Sequence, residues 1–190
     1  MAQTNVDATN VGVGKPKVGG AVFIAPVGSK LPTDASSPLD PAFKCIGYIS
    51  EDGITFTEER DSAELVAWGG DTVSSSQTSY KENVSFTPIE TRPEVAKMEY
   101  GDDNVEVEAG KMHIKHTSAP LPEKALVCET VPNEKTVTRY VVERAKLTEK
   151  GDLALNDSDP LARECTFAAL PGADGVTVHE YHAITGLTAE

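Results

Sequence analysis

Val73–Ile89 reads VSSSQTSYKENVSFTPI, and this run decides the fold class. It is rich in Ser, Thr, Val, Tyr and Phe, residues that suit a pleated, half-solvated surface. Polar side chains occupy most alternate positions, which fits one or two solvated strands. Just upstream, Asp61–Asp71 has no clean period and ends in Trp68-Gly69-Gly70-Asp71, so a long loop is expected there. Cys45–Ile49 and Gly53–Arg60 read as two short strands around Glu51-Asp52-Gly53. Asp-Gly between β-formers marks a turn, because Gly accepts positive φ at little steric cost. Gly20–Ala25 is a further strand closed by Pro26, and the Pro-rich Val27–Pro41 is a loop.

Downstream, one short helix is expected at about Arg92–Tyr100. Thr91 stands where an N-cap would, Pro93 in the first turn and Glu94 at the third position, the pattern of a capping box. Val95, Met98 and Tyr100 give it an apolar face, and Gly101 supplies a left-handed stop. Strands then resume at Val105–Glu108, Met112–His116, Ala125–Val131, Thr136–Thr148, Leu161–Leu170 and Val176–Ala183. Thr136–Thr148 reads as one long strand, with a helix after Val141 as the other reading. Leu161, Cys165, Phe167 and Ala169 share one face of their strand. Many short strands and one helix make a mainly β chain, a β-sandwich or barrel with a short flanking α-helix, a long loop and an extended N-terminal arm. The expected division is an arm over 1–18, a single β domain over 19–184 and a tail over 185–190.

The chain has 190 residues, 30 acidic against 17 basic, for a net charge of −13 and a pI of about 4.7. That balance argues against a basic nucleic-acid groove, since phosphate binding needs clustered Lys and Arg. It does not exclude a surface that nucleic acid slides past. Met1–Asn10 has neither the basic nor the apolar region of a secretory signal. The longest apolar stretch, AVFIAPV, is far short of the ~18–20 residues a membrane helix needs. Cys45, Cys128 and Cys165 cannot all pair, and they read as reduced, small buried hydrophobes. The expectation is synthesis in a cytoplasm without membrane insertion.

No catalytic fingerprint is present, and no catalytic residue, cofactor or metal site is assigned. Gly12-Val13-Gly14-Lys15 is followed by Pro16 where a phosphate loop needs Ser or Thr. His113/His116 and His179/His182 fall in strand segments, where positions i and i+3 point to opposite faces and cannot share a metal. Asn156-Asp157-Ser158-Asp159 lacks the spacing of a calcium loop and reads as a solvated turn. Trp68, the single Trp, is either tucked on the chain's own core or an anchor at a subunit contact.

An ordered set of short motifs runs through most of the chain. It comprises Gly14–Phe23, Leu31–Ala35, Leu39–Phe43, Gly47–Gly53, Ala67–Asp71, Gln77–Tyr80 and Tyr100–Val105, then more loosely Lys150–Asp152 and Ala169–Pro171. In this order and spacing the chain resembles the major tail tube proteins of long-tailed bacteriophages, over roughly residues 14–181. The resemblance implies a fold shared with the tube protein of type VI secretion and no enzymatic activity. It implies hexameric rings stacked into a hollow tube around a tape measure protein, capped by tail terminator and tail tip proteins. DNA passes through transiently and without specificity. Such a protein resides in the virion tail and is assembled in the host bacterial cytoplasm.

On that reading Asp61, Ser62, Glu64 and Trp68 are the expected contacts between subunits or rings. Thr72, Ser74, Ser76, Thr78, Glu82, Ser85 and Thr87 are the expected lumen-facing residues. The competing classes are a soluble β-sandwich binding or adhesin module of a virion and a small hydrolase. The first would want exposed aromatics, yet only 6% of residues are aromatic. The second would need a nucleophile and base that cannot be named.

Overall fold

The computed structural model describes residues 6–186. Its strands are β1 (Val22–Pro26), β2 (Lys44–Cys45), β3 (Ile49–Val66), β4 (Thr72–Pro88), β5 (Val105–Glu108), β6 (Lys111–Ile114), β7 (Lys124–Asn133), β8 (Thr136–Lys150), β9 (Cys165–Leu170) and β10 (His179–Ile184). One helix, α1 (Pro93–Tyr100), lies between β4 and β5. The mainly β architecture with a single short helix is as expected.

Eight strands form one antiparallel sheet in the order β2-β1-β7-β8-β9-β4-β3, with β10 also on β8. The long strand β8 makes this arrangement work. Its first half, Thr136–Val141, pairs with β7 on one edge and β10 on the other. From Arg144 onward, β9 replaces β10 on that second edge. Two layers thereby share one strand and close on a common core. Val22, Leu126 and Val142 meet Val84, Phe86 and Phe167 there, and α1 adds Val95 and Met98. Phe86 and Phe167 stack with ring centroids 5.4 Å apart.

Ala125-Leu126-Val127-Cys128 has no alternation because both faces of β7 are covered. Leu126 and Cys128 point into the main core, whereas Ala125 and Val127 join Ala25, Phe43 and Val141 under Leu31 and Leu39. A strand buried on both sides reads as a continuous apolar run. A third cluster, Ala96, Tyr100 and Val105 with Met112 and Ile114, fixes the small β5–β6 hairpin against α1.

Several expectations are corrected. Of the two strands expected around Glu51-Asp52-Gly53, Cys45–Ile49 does not form as one: Cys45 ends β2, residues 46–48 are not strand, and Ile49 opens β3. β3 then runs on through the expected Asp-Gly turn, with a register irregularity between Ile49 and Ile54 that Gly53 (φ 74°) accommodates. The expected loop Asp61–Asp71 is strand as far as Val66, followed by a turn closed by Ala67 N–H to Asp71 O at 2.8 Å. Both faces of this ribbon are in water, so no buried stripe imposes an alternation on the sequence. The capping box does not form: α1 begins at Pro93, Arg92 is its N-cap, and no side chain caps it. That one-residue shift moves Glu94 out of the position from which a box carboxylate reaches back. Gly101 has φ 87° and ψ 151°, a positive-φ stop but not a left-handed helical one. The expected Leu161–Leu170 strand starts only at Cys165, and Leu161 is exposed. Likewise the expected Met112–His116 strand ends at Ile114. Thr136–Lys150 is strand throughout, so the helical alternative after Val141 falls.

The described arm makes a 3-10 turn at Ala8–Asn10 and then runs extended from Val11. Val13 N–H donates to Pro132 O at 2.9 Å, Val131 N–H to Lys15 O at 2.8 Å, and Pro16 bridges Thr130. It therefore lies along β7 beyond the end of β1. Residues 1–5 of the expected arm and 187–190 of the expected tail lie outside the described residues.

Candidate functional site

The feature that most sets this molecule apart is the β3–β4 ribbon. β9 pairs with β4 only along Asn83–Phe86, so the ribbon beyond Glu82 has no third strand among the described residues. From Glu58 to Val66 it runs nine residues, eight steps along the strand, an overhang of roughly 27 Å. The outer edges of β3 and β10 likewise have no strand partner among the described residues.

The two faces of the ribbon differ in chemistry, because side chains alternate along a strand. One face starts in the core with the cross-strand pairs Ile54/Phe86 and Phe56/Val84, then continues as Glu58/Glu82 and Arg60/Tyr80. It walls a cleft of about 550 Å³ completed by Tyr140, Thr177 and Glu180. Glu82 is buried there and accepts hydrogen bonds from Tyr80 Oη, at 3.0 Å, and from Thr177 Oγ1. Arg60 lies 4.4 Å above the Tyr80 ring and 3.1 Å from Glu58. Burial raises the Tyr80 phenol, and burial followed by a hydrogen bond to Glu180 pushes Tyr140 up to about 12. These groups are tied to one another, and the cleft presents no activated nucleophile.

The opposite face pairs Thr55/Ser85, Thr57/Asn83, Glu59/Lys81 and Asp61/Ser79. It continues through Thr166 and Ala168 of β9 to Lys146 of β8. The result is a solvated, hydroxyl-rich surface on which charges of both signs sit close together. Ser79 Oγ donates to Asp61 at 2.6 Å.

The expected contact residues gather on the ribbon's outer half. Trp68 lies in the tip turn with its side chain wholly exposed, so it is not tucked on the chain's own core. Asp61, Ser62 and Glu64 are exposed, and Thr72 Oγ1 donates to Glu64 at 3.3 Å. The expected lumen residues do not share one face. Thr72, Ser74, Ser76 and Thr78 are exposed on the free ribbon, Ser85 and Thr87 are half-buried on the body, and Glu82 points inward. Glu82 has the parity of Val84 and Phe86, whereas Ser85 and Thr87 have the other. Thr55, Thr57, Glu59, Lys81 and Asn83 were not singled out from the sequence. The Ile54-Thr55-Phe56-Thr57 alternation carries the signal for the first two.

Elsewhere, the histidines are engaged singly. His113 faces Glu106 at 3.4 Å, His116 stacks on Tyr100, His179 faces Asp174 at 3.0 Å, and His182 faces Glu180 at 3.0 Å. Among the described residues no group of three His, Cys, Asp or Glu side chains is placed to hold a metal. No helix there is long and apolar enough to cross a membrane. The cysteines are free, with Cys128 and Cys165 buried.

Residues 15–182 match the family model described as phage tail tube protein. The chain belongs to the phage tail tube protein family. It is thus a structural component of a phage tail, and its place is in the virion. The family is structural and not generally enzymatic. Among solved structures, the tail tube chain is similar to the cryo-EM structure of the anti-feeding prophage cap, a tube-terminating cap. The identity is 12%, the match covers 95% of this chain and 98% of that one, and the TM-score is 0.43. No curated protein sequence matches the chain.

Proposed function

We propose that this chain is the repeating subunit of the tube itself. Copies form hexameric rings that stack into a hollow conduit around a tape measure protein. Tail terminator and tail tip proteins close its ends. DNA crosses the conduit during ejection, and the subunits assemble in the cytoplasm of the host bacterium. The observation that carries this reading is a tail tube family domain whose long ribbon and outer strand edges have no partner among the described residues. Unpaired edges are a ready template for pairing with another chain, and pairing between copies would use that template within a closed ring.

The hydroxyl-rich face of β3, β4, β9 and β8 is the natural channel lining. Thr55, Thr57, Ser85 and Asn83 offer no fixed positive charge, Lys81 lies directly across from Glu59, and Lys146 on β8 is separated from Lys81 by the intervening β9. Phosphates then meet no cluster of cations to bind. The test is negative-stain microscopy of the purified protein across a concentration series, with sedimentation velocity alongside. Rings or hollow tubes of uniform diameter, with matching large species in sedimentation, are expected. A single small species at every concentration, also after addition of tape measure and tip proteins, would refute the proposal.

A further inference from the structure

At the opposite end of the sheet order from the ribbon, the arm, β1 and the Ser36–Leu39 loop enclose a cleft of about 430 Å³. Phe23, Pro38 and Leu39 supply apolar wall, Lys17 lines the rim, and Arg139 with Glu129 forms the floor. We propose that this cleft receives the Trp68 tip of the β3–β4 ribbon of a second copy of the chain. The inference rests on the self-assembly reading and names the contact that propagates it.

Four observations converge. First, Trp68 is fully exposed, with Leu65, Val66 and Val73 exposed beside it. A solvated Trp within an apolar tip is the kind of residue that dominates interface energetics. Second, the cleft is large enough to take an indole together with part of its turn, and its mixed apolar and polar lining suits an indole with a single N–H donor. Third, the charges complement each other. From Asp61 to Tyr80 the ribbon carries Asp61, Glu64 and Asp71 and no Lys or Arg. Arg139 is buried against Glu129, so the net positive charge of the lining sits on Lys17 at the rim, and Lys15 follows two positions back along the arm. Fourth, Trp68 is fully exposed in the single chain and is absent from the lining of this cleft, so a contact between the two is one between copies. Such a head-to-tail contact repeats from copy to copy, closing into rings or running on as a filament.

Trp68 is the only Trp, so its fluorescence reports this contact without labelling. On assembly of the full chain, its emission should shift to the blue and acrylamide quenching should fall several-fold. Trp68→Ala should raise the concentration needed for assembly roughly thirtyfold or more, the loss expected for a central hot-spot residue. Ser36→Trp, which fills the cleft from its exposed rim, should block assembly while leaving the monomer folded by circular dichroism. Mixing W68C with S37C subunits, both also carrying Cys45→Ser because the free Cys45 lies beside the cleft, should give an intermolecular disulfide between positions 68 and 37, identified by peptide mapping. Assemblies in which Trp68 stays as quenchable as in the free subunit, with no W68C–S37C cross-link, would overturn this contact and leave the self-assembly reading standing. A chain that never assembles would overturn both.

Discussion

Replacing Arg139 by alanine should be the most damaging single change on the reverse side of the sheet. Its side chain is 1% exposed, and the Glu129 carboxylate beside it is 3% exposed. Arg139 Nε donates to Glu129 Oε1 at 2.8 Å, and Nη2 donates to the same oxygen. The remaining donors reach Asp34 O at 2.6 Å and Ser37 O at 2.9 Å, and so hold the Pro-rich loop onto β8. Alanine would leave a buried carboxylate with only Lys17, 2.9 Å away and partly in water. Removing one partner of a buried pair costs about 3–5 kcal/mol. At ~2.1 cal/mol/K per residue, the unfolding entropy of a chain this size is about 0.4 kcal/mol/K, so the melting temperature should fall by about 8–12 °C. Scanning calorimetry measures this, and hydrogen exchange should show amide protection lost in residues 32–41. The double variant Arg139→Met with Glu129→Met should recover more than half of the loss, because no buried charge is left unpaired; Lys17 loses its partner but is partly in water. An Arg139→Ala melting point within about 2 °C of the parent would refute the reasoning, since that is under 1 kcal/mol.

Phe167→Ala removes a ring that is 2% exposed and stacked on Phe86, and should cost about 3–5 kcal/mol in urea unfolding. A loss under ~1 kcal/mol would mean that the two layers do not share this core. Burial pushes the Cys128 and Cys165 thiols up to about 12. Both should resist Ellman's reagent at pH 8 in the folded protein and react once guanidinium unfolds it; rapid modification in the native state would contradict their burial. The Ser37 and Ser36 amides, with their hydroxyls, hold the Asp34 carboxyl well below the usual carboxylate range. Its contribution is therefore present above its unfolded pKa of ~3.9 and is lost as pH falls through the folded value. Asp34→Asn should flatten the acid limb of the stability profile below that point, and an unchanged limb would remove Asp34 from the account.

Much of this architecture is legible in the residues. β-Former content locates most strands, and Pro93 with Gly101 brackets the helix to within a residue. What escapes has physical causes. Ser62–Val66 is strand with both faces in water, so burial writes no period into it. Arg139 sits in Thr136-Val137-Thr138-Arg139-Tyr140, where a lone cation reads as solvated; only the loop folded over β8 buries it. The lumen set divides because Ser/Thr content reports solvation without reporting parity, and Glu82 shares its parity with Val84 and Phe86. Trp68 stands out by sequence as the one Trp beside two glycines, whereas the cleft proposed for it is built from four separate segments.

The most direct test is a cryo-EM reconstruction of the self-assembled protein. The account predicts a hollow tube of stacked six-membered rings, with Thr55, Thr57, Asn83 and Ser85 lining the channel and Trp68 buried against a neighbouring copy. An assembly whose channel is lined by another surface, with this hydroxyl-rich face on the outside, would contradict it.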